Sequence, residues 1–470
     1  MPVNSFDNYP MAWKPEKSRL TRPIYKSLAE QMERDIAEGL LLPGTKLPPQ
    51  RELADFLDIN FTTVTRAYKL CEYKGLIYSV MGSGTFVSAR TTHDASLGGK
   101  VFRSNVIELG PVTSFEETNV DVIPLMHRVL EQKYTDQLLT YREPYGMAHQ
   151  RQAASEWLSL LGINVNYSDI AIMNGALNAI ATAYLTLFGY GDRIAVDTYT
   201  YSNFISLSKL FHLTLVPIHG DEQGMSADEL DSVCKQTNIR GLFLTPSCSN
   251  PTTIVMSEER KKDIAKVIKK HDLLLIDDDA EAFMTYGYVD GCGEPLYSMV
   301  PENTIYICSM SKSFCAGLRI AFMIAPPKSL DALELSIFNT NVKTSSLDAE
   351  IVTEAIMTGS AHKMCEKRIA LAKQANRIYE EIFPDAPRSG HPNPYYRWHP
   401  ISSTASPKAG DSRDIEKTLL ARGVSVFPSS IYKTDSKAKD DHIRISLSSA
   451  GSMDKLTQGL TIVRDVLSEG

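Results

Sequence analysis

The stretch Ser309-Met310-Ser311-Lys312-Ser313-Phe314-Cys315-Ala316-Gly317-Leu318-Arg319 continues directly from the apolar run Thr304-Ile305-Tyr306-Ile307-Cys308. The run reads as a buried strand, and the residues after it are mostly small, with one lysine and one arginine among them. A lysine among small residues at a strand end is a candidate Schiff-base former if burial lowers its pKa; alone, Lys312 reads first as an ordinary surface lysine. Its neighbours decide. Upstream, Leu273-Leu274-Leu275-Ile276 ends at Asp277-Asp278-Asp279. Three adjacent acids form a solvated loop or a metal site, or place one carboxylate inside; Asp277, directly after the strand, is the one expected there. Further upstream, Asn174-Gly175-Ala176-Leu177-Asn178 joins a strand to a helix and leaves backbone N–H groups free for an anion. Arg319 can add a bidentate phosphate contact. A molecule with a phosphate, an aldehyde and a basic ring nitrogen would use all four features, and pyridoxal 5′-phosphate (PLP) is that molecule.

Outward from these residues, strand-like runs alternate with helical ones. DIAIMNG (169–175) precedes ALNAIATAYLTLFG, DRIAVDTY (192–199) precedes SNFISLSKLF, and GLFLTPS (241–247) precedes SEERKKDIAKVIKKH. Such alternation predicts a mostly parallel sheet covered on both faces, with ligands at the carboxyl ends of its strands.

The first ninety residues differ. Ile24, Leu28, Met32 and Ile36 recur every four positions, the mark of an amphipathic helix ended by Gly39 and Pro43-Gly44. A second helix runs from LPPQRELADFLD with Leu53, Ala54 and Leu57 inward, and Pro48-Pro49 suit its first turn. Asn60 caps a third, FTTVTRAYKLCEYKG, which turns Val64, Ala67, Tyr68 and Cys71 inward. LIYSV, the turn MGSG and TFVS then predict a hairpin. Three helices and a hairpin make a winged helix-turn-helix, although a small three-helix cap would show the same apolar pattern.

The chain has 470 residues and a formal net charge of −7. Residues 1–90 hold 12 Lys and Arg against 10 Asp and Glu, so this head is slightly basic and the remainder acidic. That balance permits phosphate contact without requiring it. The seven cysteines form no CxxC pair, which argues against a disulfide framework or a zinc site and for a reducing cytoplasm. No apolar run is long enough for a membrane span, and the N-terminus lacks the apolar core of a secretory signal. Residues 91–104 (TTHDASLGGKVFRS) read as a flexible linker.

Two resemblances carry these readings to a family. PIY (23–25), LPPQRELA (47–54), TTVTRAY (62–68), KGLI (74–77) and GSGTFV (82–87) resemble, in order, the DNA-binding domain of the GntR family of bacterial regulators. SMSKSFCAGLR is similar to the SxSKxxxxGxR stretch of fold-type I aminotransferases, with DRIAVDTYTYSNF (192–204), SNPTT (249–253), LLIDDDAEAF (274–283) and HIRISLS (442–448) in matching order. The two together resemble the MocR subfamily of regulators.

The resemblance implies a GntR-type winged helix-turn-helix over 21–90, the linker 91–104, and an α/β PLP-dependent transferase fold over 105–470. That fold would comprise a large domain at about 120–345 and a small α+β domain at about 346–470. Lys312 would form the internal aldimine, Asp277 would pair with the pyridinium nitrogen, Tyr201 would stack on the ring and Asn250 would donate to the ring oxygen. Gly175, Ala176 and Arg319 would hold the phosphate, with Leu177, Ser309 and Ser311 beside them in the cofactor-binding set. Tyr141 would reach the phosphate of a neighbouring subunit in a homodimer, and Arg444 would clamp an effector's α-carboxylate. Bland readings stand beside these: a core tyrosine for Tyr201, an Asn-Pro turn for Asn250, an exposed edge-strand arginine for Arg444. Arg51, Asn60, Phe61, Thr62, Thr63, Arg66 and Gly84 would meet double-stranded DNA, with Arg66 placed to reach the backbone and Phe61 standing where relatives usually have a polar or basic residue. Asp279 and Ala280 leave no tyrosine just after the aspartate, and Thr253 replaces a usual glycine. The implied function is a PLP-dependent transcription regulator sensing an amino acid or amine by aldimine exchange at Lys312. The alternative is a working aminotransferase with an appended DNA-binding head. No metal is expected.

Overall fold

The computed structural model describes residues 11–37, 40–41, 44–73, 76–80, 84–87, 106–141, 143–401 and 412–469. The linker 91–104, Gly39, Pro43, Lys74 and the hairpin turn 81–83 lie outside the described residues. The chain divides into two compact units, Met1–Asp94 and Ala95–Gly470.

In the first unit the four-residue spacing becomes helix α1 (Ile24–Ala37), followed by α2 (Gln50–Leu57) and α3 (Phe61–Tyr73). Leu28, Met32, Leu53, Leu57, Val64, Ala67 and Cys71 are fully buried where the helices meet. Burying each of the larger apolar side chains contributes about 1.5–3 kcal/mol, and these side chains fix the packing. Asn60 caps α3: its Oδ1 accepts from the Thr62 backbone N–H at 2.8 Å and from the Thr62 hydroxyl at 2.7 Å. The hairpin comes next as β1 (Ile77–Val80) and β2 (Gly84–Val87), antiparallel, with Ile77 opposite Val87. Outside the predicted elements, Trp13 is buried against this core and its indole N–H donates to Asp35 at 2.6 Å.

The second unit holds β3 (Ile107–Glu108), β4 (Ile170–Met173), β5 (Arg193–Asp197), β6 (Thr214–Ile218), β7 (Gly220–Asp221), β8 (Gly224–Met225), β9 (Gly241–Leu244), β10 (Leu274–Asp278), β11 (Thr304–Ser309), β12 (Ala321–Ile324), β13 (Tyr396–Pro400), β14 (Val424–Ser425), β15 (Phe427–Pro428) and β16 (His442–Ser446). Seven of them form one sheet in the order β4-β12-β11-β10-β9-β5-β6. All neighbours are parallel except β12, which runs antiparallel to both β11 and β4. The helices predicted after the strands are present at Ala176–Leu187, Ser202–Leu210 and Glu258–His271.

The sheet is buried on both faces, as parallel strands require. Ile276, Ile305 and Ile307 pack with Ala179, Ile180 and Ala183 of the helix Ala176–Leu187. Leu242 and Leu275 face the other way, against Ile264 and Ile268 of the helix Glu258–His271. Towards the C-terminus β13, β16 and β15 form a separate antiparallel sheet with β16 in the middle, and β14 pairs in parallel with β3. The segment around residue 107 is thereby tied to the C-terminal part of the chain. No helix among the described residues is long and apolar enough to cross a membrane.

Candidate cofactor cavity and DNA-reading surface

A cavity of about 220 Å³ opens at the carboxyl ends of β9, β10 and β11. Lys312, Arg319, Asn250, Tyr201, Ala176, Leu177, Ser309, Ser311 and Arg444 all line it. These nine come from distant parts of the sequence, and the βα topology gathers them. Ser309 ends β11 and caps the short helix Met310–Ser313, its Oγ accepting from the Ser311 backbone N–H at 3.3 Å. That cap starts the single turn that carries Lys312. The lysine amine bonds the Val112 carbonyl, and burial lowers its pKa to about 8, with Glu281 pulling it up and Arg444 pushing it down. An amine so shifted is far more often neutral near pH 8 than an exposed lysine, as a nucleophile must be.

Arg319 takes the left-handed conformation at φ 54°. It donates to the Ser311 hydroxyl at 3.3 Å and lies against Gly175. A Cβ on Gly175 would stand 2.4 Å from the Arg319 Nη2, and Gly175 itself has φ 81°, so both space and backbone call for glycine. Immediately after it, Ala176 and Leu177 open a twelve-residue helix at the cavity wall, where first-turn N–H groups have no helical acceptor. Arginine and helix terminus thus converge on one anion-binding corner.

One expectation is corrected. Asp278, not Asp277, faces the cavity. The strand does not stop at Ile276 but runs through Asp278, and side chains alternate along it. Asp278 therefore shares the face of Ile276, and Asp277 points with Leu275 to the other side. Both Asp277 carboxylate oxygens are buried there without a hydrogen-bond partner. Burial and the nearby Asp279 push the Asp277 pKa well above the usual range. Asp278 is raised to about 7 by burial, then by Glu281 and Asp279, and its Oδ1 is a buried orphan acceptor at the cavity wall. Asp279 is turned away and accepts from the Tyr306 hydroxyl at 3.0 Å.

Arg444 also departs from its bland reading. It sits on the central strand β16, 4% exposed, with its guanidinium 5.0 Å from the Tyr432 ring centroid. It donates to Asn250 Oδ1 at 2.9 Å and to the Gly110 carbonyl at 2.8 Å, while its Nε is buried without a partner. Tyr201 accepts at 3.0 Å from Asn203, and burial raises its pKa to about 12. Thr253 has φ 63°, the conformation for which the usual glycine is suited, and its hydroxyl accepts from Ser389 at 2.7 Å. Tyr141 is 85% exposed and does not line the cavity of its own chain.

Sequence reading missed Glu281, Tyr396 and Val112, which also line the cavity. Glu281 stands three residues after the true cavity aspartate; counting from Asp277 leads to Asp279 and Ala280 instead.

On the first unit, Phe61 is 42% exposed at the start of α3, with the Arg51 guanidinium 5.7 Å from its ring centroid. Thr62 is exposed with its hydroxyl spent on Asn60, and Thr63 is half-buried one residue further along. Arg66 stacks on Tyr25 at 4.1 Å. Gly84 has φ 117°, and a Cβ there would meet the Lys46 Cε at 2.8 Å.

Comparison with known proteins shows the same division. Residues 24–87 match the family described as bacterial regulatory proteins, gntR family, and residues 112–463 match aminotransferase class I and II. The chain is 32% identical over 469 residues, covering all of both proteins, to YdeF of Bacillus subtilis (strain 168), described as an uncharacterized HTH-type transcriptional regulator. YdfD of the same organism, described in the same words, is 25% identical and covers 96% of this chain and 97% of its own length. Among solved structures, an archaeal alanine:glyoxylate aminotransferase superposes with a TM-score of 0.71 at 21% identity, covering 79% of this chain and 92% of that one. The α-aminoadipate aminotransferase LysN of Thermus thermophilus, complexed with N-(5'-phosphopyridoxyl)-L-leucine, gives 0.68 at 20% identity, covering 78% and 92%. At such identity these structures speak for the fold. With a GntR helix-turn-helix ahead of a class I and II aminotransferase region and full-length similarity to regulators of that build, the chain belongs to the GntR-type transcription regulators with an aminotransferase-like domain, the MocR subfamily.

Proposed function

We propose that this regulator holds PLP in the cavity at Lys312 and senses an amino acid or amine there, and that the occupied cavity alters its binding to double-stranded DNA. The observation that carries the proposal is the convergence of Lys312, Arg319, Asp278 and the helix start at Ala176 on one cavity. The residues fit the cofactor. Gly175 leaves the space in which Arg319 and the helix terminus form an anion cradle, and the orphan Asp278 Oδ1 awaits a donor such as a protonated ring nitrogen.

When bound, PLP supplies an aldehyde that condenses reversibly with an amine and so exchanges a lysine for an incoming amino group. The chain does the rest. Arg319, with Ser311 steadying its guanidinium, binds the phosphate end together with the N–H groups of the first helical turn. Asp278 would hold a proton on the ring nitrogen, Tyr201 would cover the ring face and Asn250 would donate to the ring oxygen. Arg444 receives a carboxylate, its orphan Nε being the free donor. Tyr141 serves the phosphate of a second subunit in a homodimer. Arg51, Phe61, Thr63 and the Gly84 wing meet DNA, with Asn60 and Thr62 fixing the start of α3.

The seven cysteines are free thiols, which suits a cytoplasmic protein. A second reading, a working aminotransferase, is favoured by the buried and oriented Arg444. Sustained keto-acid production on the order of 1 s⁻¹ or more would support it.

The test uses full-length protein and DNA from upstream of its own coding region. Borohydride reduction and then peptide mass spectrometry are expected to place the phosphopyridoxyl label on Lys312. At least one amine or amino acid in a screen is expected to change both the cofactor absorbance and the DNA affinity. Label elsewhere, or DNA affinity indifferent to every ligand that alters the absorbance, would overturn the proposal.

A further inference from the structure

The cavity is lined by three cations, Lys312, Arg319 and Arg444, and by two anions, Asp278 and Glu281. On the proposed cofactor reading, which the inference at Glu281 presupposes, four of these five are already committed. Arg319 would face the phosphate, Asp278 the ring nitrogen, Lys312 the aldehyde and Arg444 a carboxylate. Glu281 is left over. It is 6% exposed at the cavity wall, and among the described residues no hydrogen bond is formed to its carboxylate. The Tyr396 hydroxyl, on the same wall, is directed instead to the Cys248 and Ser249 carbonyls at 3.2 and 3.3 Å. Burial lifts the Glu281 pKa to about 7, while Lys312 and Arg444 pull it down and Asp279 raises it further.

A buried carboxylate is costly unless a cation or donor meets it. The Lys312 amine is directed to the Val112 carbonyl rather than to Glu281, so among the described residues the carboxylate has no hydrogen-bonded cation. We infer that Glu281 is an anionic subsite for the effector, selecting amino acids with a cationic side chain over apolar ones, and diamines over monoamines, of the same length. A ligand ammonium at Glu281 would gain a charge-assisted hydrogen bond in a low-dielectric wall, whereas a methyl group there would leave the carboxylate unmet.

Matched probes test this on the full-length, PLP-loaded protein: L-lysine against L-norleucine, and 1,5-diaminopentane against pentylamine, with dissociation constants read from the cofactor absorbance. The charged member of each pair is expected to bind on the order of tenfold more tightly. Glu281→Gln is expected to bring the two members within about threefold of one another, and Glu281→Asp, which keeps the charge, to retain most of the preference. A carboxylate that merely paired Lys312 would shift all four probes together and leave the ratios unchanged. Equal affinities in a wild-type protein whose Lys312 carries the borohydride label, or ratios unaltered by Glu281→Gln, would overturn the inference alone. A wild-type protein without that label would overturn the cofactor reading, and the inference with it.

Discussion

At the scale of single residues, the two neighbours Asp277 and Asp278 show how much one position of register decides. They have the same side chain, lie on the same strand and are both buried, yet one faces a cavity and the other faces packed protein. Asp278→Asn would keep the shape and remove the charge that, on the proposed reading, would hold a proton on the ring nitrogen. It is expected to weaken PLP retention on the order of tenfold or more and to shift the cofactor absorbance. Asp277→Asn is expected to leave both unchanged. Its carboxyl already has a raised pKa, and a carboxyl raised in the folded state loses stability for the protein as pH climbs from the unfolded value through the folded one. Removing it should therefore raise the thermal midpoint at neutral pH. Equilibrium dialysis of PLP, absorbance and thermal unfolding on the two variants check this; a cofactor defect in Asp277→Asn with none in Asp278→Asn would restore the reading based on strand end alone.

At the scale of elements, the turn from β4 into the helix Ala176–Leu187 sets the corner of the cavity where Arg319 meets the helix start. Gly175→Ala should be the most telling change there. An alanine at φ 81° is strained by about 1 kcal/mol, and its Cβ displaces the Arg319 guanidinium from the position it now holds. The expected outcome is a loss of PLP affinity on the order of tenfold or more, with little change in helix content by circular dichroism; undiminished affinity would mean that Arg319 does not depend on this approach.

The same elements show what sequence made legible. Alternating strands and helices exposed the parallel sheet because each type has its own period, and the Ser-Lys…Arg stretch marked the cavity because small residues and isolated cations stand out after an apolar run. β12 carried no such mark: its apolar residues read alike in either direction, so its antiparallel setting appears only when β4 and β11 flank it. Arg444 looked like an edge residue because the strand β15 beside it is only two residues long. Apolar periodicity points to Asp277 because it ends at Ile276, whereas the backbone pairing continues through Asp278. Glu281 was invisible for the same reason, since its place is counted from the aspartate that precedes it.

At the scale of the whole molecule, a formal charge of −7 conceals a slightly basic head, and the function proposed requires that head and the cavity to answer to one another. Thermodynamic linkage makes that requirement exact in one respect. If an effector changes DNA affinity by some factor, DNA must change effector affinity by the same factor, because both paths join the same four states. Couplings of 1–3 kcal/mol, about 5–150-fold, are typical of such proteins. Titrating the effector by cofactor absorbance with and without saturating upstream DNA should thus reproduce the factor found by titrating DNA with and without effector. Lys312→Ala should abolish both together while leaving a residual DNA affinity, since the helices and hairpin that read DNA have a core of their own. Two unequal factors would show that the absorbance change and the DNA response arise from different ligand sites. A Lys312→Ala protein still responding to the effector would place sensing outside the lysine altogether.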